Sequence, residues 1–341
     1  MVYTFQLWKH PNIHYRDAVV RLSRCELFSM LKSLSIDTEI IQENYGTADF
    51  LTFECRELSA SELSYLSGHS CFSFFAEKKG DLLSPVSVPS GDVFPDSLPE
   101  ILKYKGKTNP SFTRMMLNTA LSLTPYSRHP DQVTVLDPLC GRCTTLFCAL
   151  CAGASAVGID TDRKDLHEAL EYFLRYLKLS GIKHKAAAFS ETVASAGIPG
   201  TRCTFAGSKE DYQSGKTSSM TLYLADTGLA GPLMRKRKAH LLVTDLPYGV
   251  QHAPQDGNRK ESFSAFLKRV IPSWKDALMS GGALAVSFNS LTVKAVTVRG
   301  ILSDAGLHVL DSSDYSGLSH SVEQAVIRDL VFATIPDHSL V

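Results

Sequence analysis

The sequence has no long apolar run and no export signal. No segment approaches the roughly 18 consecutive apolar residues that a membrane-spanning helix needs. The N-terminus also lacks a basic region followed by an apolar one. Both absences predict a cytoplasmic protein without a membrane partner. With 341 residues and 44% apolar composition, the chain is long and apolar enough for two globular domains.

A net charge is also absent, because 35 basic and 35 acidic side chains balance each other. Their distribution is uneven. Residues 1–100 carry 8 Lys and Arg against 14 Asp and Glu, and the rest of the chain carries 27 against 21. A polyanionic partner is therefore expected to contact the C-terminal part. The surplus there is too small to indicate nucleic acid by itself.

The eight cysteines do not form a compact disulfide-like pattern, which is typical of reduced thiols. Cys140 with Cys143 and Cys148 with Cys151 form two Cys-x-x-Cys pairs that resemble zinc-ligand spacing. Only four residues separate the pairs, and the second pair falls within a predicted helix. Buried apolar thiols are therefore favoured and no metal is predicted. A metal site and a redox pair are the alternatives.

Residues 1–80 show the same pattern of elements twice. The order strand, helix, strand is predicted in each half, which indicates a small ferredoxin-like α+β domain with the order β-α-β-β-α-β. Strands are predicted at residues 3–8, 38–42, 50–53 and 71–75, a helix at 15–34, and a short helix that begins at Ser59 or Ser61.

Residues 81–100 are predicted to be a linker, because they are rich in proline and serine. In residues 101–341 strands alternate with helices, which indicates a mostly parallel, Rossmann-like sheet with covered faces and a late antiparallel hairpin. Strands are predicted at residues 134–137, 156–159, 186–189, 220–224, 240–244 and 283–288, near 309 and at 330–335, and helices at 112–123, 144–152, 165–179, 262–279 and 293–305.

Acidic side chains end the first two strands of this predicted sheet. Asp137 ends the first strand, and the loop after it leads into a helix whose N-terminus would meet a ligand over the strand end. Dinucleotide-binding folds carry Gly-x-Gly-x-x-Gly here for pyrophosphate, whereas an acid favours a cationic ligand. Asp160 ends the second strand, where a carboxylate accepts hydrogen bonds from ribose hydroxyls. The two acids together favour S-adenosylmethionine over NAD.

The sequence resembles class I S-adenosylmethionine-dependent methyltransferases in four ordered motifs, at residues 137–141, 158–160, 225–227 and 244–249. Over about 104–335 it is similar in particular to the RNA methylase group that includes the THUMP-associated tRNA guanosine 2-amino methyltransferases. Residues 107–110, followed by Arg114 and Asn118, resemble the segment that closes over the methionine end of the cofactor in that group. The resemblance implies that S-adenosylmethionine is bound by Thr108, Asn109, Pro110, Asp137, Leu139, Cys140, Gly141, Asp160, Thr161, Asp226 and Thr227.

Two features depart from this family. Motif I usually reads Gly-x-Gly, and Cys143 stands in place of the second glycine. An L-residue in a left-handed conformation costs roughly 1–2 kcal/mol, which is expected to weaken cofactor binding. The relatives also usually carry a THUMP domain between the ferredoxin-like and catalytic parts, and residues 80–101 leave no room for one.

Residues 245–249, Asp-Leu-Pro-Tyr-Gly, follow the predicted strand at 240–244 and suit an amine-bearing ring. Methyl transfer to an amine is an in-line displacement, so orienting the nitrogen supplies much of the catalysis. The carboxylate of Asp245 and the carbonyl of Leu246, held rigid by Pro247, would accept hydrogen bonds from the amine and stabilise its developing charge. Tyr248 would stack on the base, which is worth about 1–3 kcal/mol.

This chemistry alone serves guanine, adenine or cytosine amines. The resemblance implies the 2-amino group of guanosine in tRNA, so the predicted function is RNA methylation with tRNA as the partner. A non-catalytic RNA- or partner-binding protein on a degenerate methyltransferase scaffold is one alternative. A DNA adenine amino-methyltransferase is another, disfavoured because no separate target-recognition domain is evident.

Two further groups of polar residues carry weaker signals. The basic run at residues 235–238 is predicted to be a solvated turn or a phosphate-binding patch, which Lys103, Lys105 and Lys107 could extend. His320 and Gln324, in the late hairpin, either border the substrate opening or are ordinary polar surface residues.

Overall fold

The described chain is built around two β-sheets with helices packed against them. The computed structural model describes residues 1–9, 13–88, 94, 97–102, 107–247, 255–256, 259–323 and 326–336. Within these ranges, no helix is both long enough and apolar enough to cross a membrane.

The first sheet and its two helices come from residues 2–85. The strands are β1 (Val2–Leu7), β2 (Ile40–Tyr45), β3 (Ala48–Glu54), β4 (Phe72–Lys79) and β5 (Leu82–Pro85), and the helices are α1 (Ile13–Ser33) and α2 (Ala60–Ser67). Their spatial order is β2-β3-β1-β4-β5, with every neighbouring pair antiparallel. This confirms the ferredoxin-like prediction and adds one edge strand, β5.

The N-cap of α2 is Ser59. Its side chain accepts a hydrogen bond from the Glu62 backbone nitrogen at 3.3 Å, and the Glu62 carboxylate accepts one from the Ser59 backbone nitrogen at 2.9 Å. This reciprocal capping box satisfies two backbone donors that the first turn cannot pair. The helix therefore begins after Ser59, the first of the two predicted serines.

The second sheet has ten strands and is covered by helices. The strands are β6 (Thr134–Asp137), β7 (Ser155–Asp160), β8 (Lys183–Val193), β9 (Ala196–Ala206), β10 (Ser218–Leu224), β11 (Ala239–Asp245), β14 (Leu278–Asn289), β15 (His308–Val309), β16 (His320–Glu323) and β17 (Val326–Thr334), and two short strands, β12 (Gln255–Asp256) and β13 (Arg259–Lys260), form a separate pair. The helices are α3 (Ser97–Ile101), α4 (Pro110–Ser122), α5 (Thr144–Cys151), α6 (Arg163–Leu179), α7 (Lys209–Ser214), α8 (Ala230–Met234), α9 (Phe263–Ala277) and α10 (Ala295–Asp304).

The strand order of the large sheet is β15-β17-β14-β11-β6-β7-β10-β9-β8. The five strands from β14 to β10 are parallel, and β17 lies antiparallel between β14 and β15. An antiparallel last strand inserted beside an otherwise parallel core is the topology of the class I methyltransferase sheet. The predicted fold class is therefore confirmed.

The outermost strands next to β10 differ from the prediction. Instead of one short strand at residues 186–189, the chain forms a hairpin of two 11-residue strands, β8 and β9. Its turn residues, Ala194 and Ser195, have φ values of 45° and 71°. Two-residue hairpins need positive φ and therefore favour Asn-Gly or similar pairs. The Ala-Ser pair lacks that signal, which explains why the second strand was missed.

The segment predicted as a linker contributes to both folded parts. β5 pairs with β4 in the first sheet, whereas the Leu98 carbonyl accepts a hydrogen bond from the Tyr172 hydroxyl at 2.6 Å. Phe94 and Leu98 are buried. The division of the chain near residues 80 and 100 stays a prediction.

Apolar side chains form two clusters on opposite faces of the large sheet. One cluster continues into the first sheet and joins Phe5 and Leu22 with Phe112 and Phe147. The other lies under α9 and contains the fully buried Trp274. The two sheets therefore share one continuous apolar core, and the carboxyl ends of the parallel strands remain at one edge.

Candidate active site

Three acidic residues end neighbouring parallel strands. Asp137 ends β6, Asp160 ends β7 and Asp245 ends β11, and β6 pairs with both of the other strands. In sheets of this type the carboxyl ends of the strands form the ligand-binding crevice. The three side chains predicted from sequence therefore lie at the same edge of the sheet.

Asp137 is buried and accepts hydrogen bonds from its surroundings. Its Oδ1 atom accepts from the Thr244 hydroxyl at 2.8 Å and from the Leu139 backbone nitrogen at 3.1 Å. Burial raises the pKa of Asp137 to about 6, although hydrogen bonds from Thr145, Thr244 and Leu139 act against this shift. The side chain ties the loop after β6 to the neighbouring strand β11.

Two residues of the loop at residues 139–143 adopt the left-handed conformation. Gly141 has φ +46° and Cys143 has φ 68° and ψ 26°. The Cys143 side chain is completely buried, so it turns into the core and away from the open side of the loop. Cys140 packs against Gly158, where an added Cβ would lie 2.7 Å from the Cys140 sulfur. The substitution at Cys143 therefore strains the backbone without filling the crevice.

The four paired cysteines are buried, as the sequence analysis favoured. Cys140, Cys143, Cys148 and Cys151 are each at most 5% exposed. Burial raises the pKa of Cys140 well above its usual range, so its thiol stays protonated. Within the described part of the chain, no group of three or more His, Cys, Asp and Glu side chains is arranged to hold a metal ion.

Asp160 shapes the same loop from the second strand. Its carboxylate accepts hydrogen bonds from the Gly141 backbone nitrogen at 2.8 Å and from the Asp162 backbone nitrogen at 2.9 Å. Burial raises the pKa of Asp160, and these backbone hydrogen bonds oppose that change. The carboxylate is partly exposed at the strand end, next to the exposed Thr161.

Asp226 and Thr227 follow β10 but have structural partners. Asp226 caps a short 3-10 helix through the Gly228 nitrogen at 2.8 Å and forms an ion pair with Arg269 at 3.3 Å. The Thr227 hydroxyl accepts a hydrogen bond from the Trp274 indole nitrogen at 2.9 Å. Half of the Asp226 side chain is exposed.

The segment before α4 reaches the strand-end carboxylate of β11. Asn109 is the N-cap of α4, accepting a hydrogen bond from the Ser111 nitrogen at 2.9 Å, and Pro110 occupies the first helical position. The Thr108 hydroxyl donates to Asp245 Oδ2 at 2.6 Å, across 137 residues of sequence. The predicted cofactor segment and the predicted catalytic motif are thus in direct contact.

Two residues that sequence reasoning missed also hold Asp245. Ser287, the residue paired with Asp245 on β14, donates a hydrogen bond to Oδ1. Arg328 on β17 places Nη2 3.4 Å from Oδ2, and its guanidinium carbon lies 4.5 Å from the centre of the Phe112 ring. Ser287 could have been found because it lies near the carboxyl end of the next parallel strand, two residues before Asn289. No local sequence signal marks Arg328.

The rest of the Asp245 motif is described only in part. Leu246 is buried, and its backbone nitrogen donates to the Ser287 carbonyl at 2.8 Å. Pro247 is half-buried at the start of the following loop. Tyr248 and Gln324 lie outside the described residues, so their predicted roles stay predictions.

Arg114 and Asn118 do not lie at the crevice. Arg114 Nε donates to the Gly68 carbonyl at 3.1 Å, and Asn118 Nδ2 donates to the same carbonyl at 2.8 Å and to Glu26 at 2.7 Å. These partners belong to the first sheet and its helices. The two side chains therefore attach α4 to the ferredoxin-like part through α1 and the end of α2.

His320 is buried rather than a surface residue. It lies on β16, with its ring centre 5.2 Å from that of Phe112 and its Nδ1 atom 3.0 Å from the Leu318 carbonyl oxygen. Burial lowers the pKa of His320 to about 4, so the ring is neutral near pH 7. It packs against Phe112 and lies opposite Arg328, the residue that forms the ion pair with Asp245.

The basic run at residues 235–238 lies at the opposite edge of the sheet from Asp245. It directly precedes β11, whereas Asp245 ends that strand. Seven residues of strand span roughly 20 Å. Lys107, whose ammonium donates to the Pro99 carbonyl at 2.5 Å, lies beside Thr108 and therefore does not extend this run. Lys103 and Lys105 are outside the described residues.

Comparison with known proteins finds similarity only among solved structures. No family model and no curated protein matches the sequence. TrmN from Thermus thermophilus is 15% identical, with a TM-score of 0.37, over 87% of this chain and 60% of that chain. Magnesium protoporphyrin IX methyltransferase from Synechocystis PCC 6803, with bound SAM, is 13% identical, with a TM-score of 0.39, over 83% of this chain and 100% of that chain.

A SAM-dependent methyltransferase from Agrobacterium tumefaciens is 11% identical, with a TM-score of 0.38, over 74% of this chain and 66% of that chain. The chain spans 60% of the length of TrmN. The strand order and directions described above, not these distant similarities, assign the fold.

Proposed function

We propose that the protein transfers a methyl group from S-adenosylmethionine to an exocyclic amine of a nucleobase in RNA. The specific target that we propose is the 2-amino group of guanosine in tRNA. One observation carries the proposal: the Asp245 carboxylate ends β11, beside the β6 loop, and is oriented by Thr108, Ser287 and Arg328. An acceptor fixed in this way suits an amine that must be aimed at a methyl carbon.

The residues at the strand ends fit the proposed cofactor. Asp137 would place an acidic group near the cationic end of the cofactor, and Asp160 stands where ribose hydroxyls are bound in related folds. A Cβ built on Gly141 would meet no atom within 4 Å, so the loop leaves open space next to its backbone. The buried Cys143 side chain does not intrude into that space. S-adenosylmethionine would supply the methyl group.

The amine is the group that the protein has to activate. Its lone pair conjugates into the base, so hydrogen bonds to Asp245 and to the Leu246 carbonyl favour a pyramidal nitrogen and offset the charge that develops on it. Three donors hold the carboxylate before the substrate arrives, so little reorganisation is needed during transfer. Arg328 balances the negative charge of Asp245 from the protein side.

Methyl transfer can be tested with labelled S-adenosylmethionine and separate tRNA, rRNA and DNA pools. We expect label in tRNA, and digestion to nucleosides should give N2-methylguanosine. Label confined to DNA would overturn the RNA target. Label in an adenosine or cytidine product would keep the reaction class and replace the base.

The role of Asp245 can be tested with Asp245→Asn, which preserves shape, and with Asp276→Asn as a matched charge change at an exposed position. We expect Asp245→Asn to lower kcat/KM by roughly 100-fold or more and to leave cofactor affinity unchanged. Asp276→Asn should match the wild type in both. Calorimetry with S-adenosylmethionine provides the second readout. No cofactor binding by the wild type at millimolar concentration would favour a non-catalytic scaffold instead.

A further inference from the structure

A cavity on one face of the large sheet reaches the amino ends of β6 and β7 and extends along β10 as far as Tyr223. Its volume is about 310 Å³, at the lower end of the range for small-molecule sites. Thr134 and Ser155, the first residues of β6 and β7, are part of its wall. Asp160 ends β7 five residues after Ser155, which corresponds to roughly 16 Å. We call this space the amino-edge cavity.

The lining of the amino-edge cavity combines hydroxyl groups with an apolar floor. Thr134, Ser155 and Thr221 carry hydroxyls on the strand side. Tyr223, Leu233 and Met234 are buried and form the apolar part, where α8 covers the sheet. A ligand with one polar end and a short apolar or aromatic body matches this division.

Positive charge dominates the lining. Arg202, Lys236 and Arg237 are opposed only by Glu191 among the described lining residues, so the net lining charge is +2. Glu191 and Lys236 pair with each other at 3.0 Å. Arg202 and Arg237 remain as the cations that can act on a ligand. The charge of the lining matches a dianion.

The guanidinium of Arg202 is held in a fixed orientation. Its Nε atom donates to the Thr221 hydroxyl at 3.1 Å, and its Cζ atom lies 5.5 Å from the centre of the Phe189 ring. Within the described part of the chain, its two terminal nitrogens make no hydrogen bond and no ion pair. A planar fork of donors presented in this way suits bidentate binding of phosphate oxygens.

We propose that the amino-edge cavity binds a phosphate monoester. Arg202 and Arg237 would contact the phosphate, and the organic part would lie against Tyr223 and Met234. A phosphate monoester carries a charge of about −1.5 to −2 near pH 7, which balances the lining. The monoester is either a free small molecule or the terminal phosphate of an RNA. The site does not depend on the proposed methyl transfer.

Calorimetry on the full chain tests the site with phenyl phosphate as probe and phenol as its neutral counterpart. We expect saturable binding of one phenyl phosphate per chain and no binding of phenol. Arg237→Gln should weaken phenyl phosphate binding about tenfold, the value of one charge-assisted hydrogen bond. Arg235→Gln is the matched control, because Arg235 is exposed in the same basic run but does not line the cavity.

Arg202→Gln, checked for folding by circular dichroism, should weaken binding at least as much as Arg237→Gln. Equal weakening by Arg235→Gln, or no saturable binding of phenyl phosphate or of a phosphorylated RNA, would overturn the proposal. Trinucleotides with and without a 5′-phosphate distinguish the two sources. If the 5′-phosphorylated trinucleotide binds more tightly than both the unphosphorylated one and phenyl phosphate, and this difference disappears in Arg237→Gln, the ligand is an RNA end. If the phosphorylated trinucleotide and phenyl phosphate bind with comparable affinities, the site takes a small molecule.

Discussion

Arg328 and Asp245 form a nearly buried ion pair, with Nη2 of Arg328 3.4 Å from Oδ2 of Asp245. The arginine side chain is 4% exposed and the aspartate side chain 14%. The guanidinium also lies over the Phe112 ring, which adds a cation–π contact. Such a pair adds little net stability, but removing one partner leaves a desolvated charge behind. The pair therefore fixes the orientation of Asp245 more than it stabilises the fold.

Arg328→Met should lower the free energy of unfolding by about 3 kcal/mol, because it leaves the Asp245 carboxylate without its cation. Asp245→Leu combined with Arg328→Met should cost less than the sum of the two single changes, with a coupling of about 1–3 kcal/mol. Urea unfolding of the four proteins measures this cycle. Arg175→Met, at an exposed helical position, should change stability by less than about 0.5 kcal/mol. Strict additivity of the two changes would show that the pair is not coupled.

Ser287→Ala should reduce kcat for methyl transfer about tenfold, because one donor that orients Asp245 is lost. The cofactor affinity should stay the same, since the Ser287 hydroxyl acts by donating a hydrogen bond to the Asp245 carboxylate. Ser280→Ala, at an exposed position of the same strand, is the control and should leave kcat unchanged. A change in cofactor affinity with an unchanged kcat would contradict the positioning role of Ser287.

The stability of the protein should depend on pH through Asp137. Its pKa is raised from the ordinary 3.8 to about 6, so between these values the carboxyl ionises in the unfolded chain but stays protonated in the folded one. The free energy of unfolding therefore falls as pH rises from about 4 to 6, by about 3 kcal/mol for the whole shift. An asparagine side chain cannot ionise, so Asp137→Asn should lack this decrease in the free energy of unfolding.

Chemical unfolding of wild type and Asp137→Asn at several pH values from 3.5 to 7 measures the difference. The amide oxygen of Asn can still accept from Thr244 and Leu139, because both bonds go to the same oxygen of Asp137. Asp131→Asn, at an exposed position just before β6, should follow the wild-type curve. Identical pH dependence of Asp137→Asn and wild type would contradict the raised pKa.

Substitutions at Cys143 separate backbone strain from obstruction of the cofactor. Cys143→Gly removes the strain of an L-residue in the left-handed conformation, which is roughly 1–2 kcal/mol. Cys143→Ala keeps that strain and removes only the sulfur. We therefore expect Cys143→Gly to be more stable than Cys143→Ala by about 1 kcal/mol in thermal or urea unfolding. Because the side chain is buried, both variants should bind S-adenosylmethionine within about threefold of the wild type by calorimetry. Much tighter cofactor binding by Cys143→Gly would mean that the Cys143 side chain obstructs the cofactor.

The order of strands and helices was largely predictable, because it depends on local patterns. Apolar periodicity located the parallel strands, and an acid at each strand end marked Asp137, Asp160 and Asp245. The β8–β9 hairpin was missed, since Ala194 and Ser195 adopt positive φ without a sequence that favours it. The segment after residue 107 stays a predicted cofactor segment, and local patterns did not show that Thr108 contacts Asp245 while Arg114 and Asn118 contact the first sheet's helices.

The sequence by itself determined the class of fold and the edge of the sheet at which chemistry could occur. Strand periodicity and strand-end residues are local properties, and parallel strands must bring their carboxyl ends together. Only the tertiary structure decided which side chains hold Asp245, because Thr108 and Arg328 are 137 and 83 residues away from it in sequence. It also decided that Asn118 binds the ferredoxin-like part and that Cys143 faces the core. These outcomes depend on how distant elements pack, which no local pattern encodes.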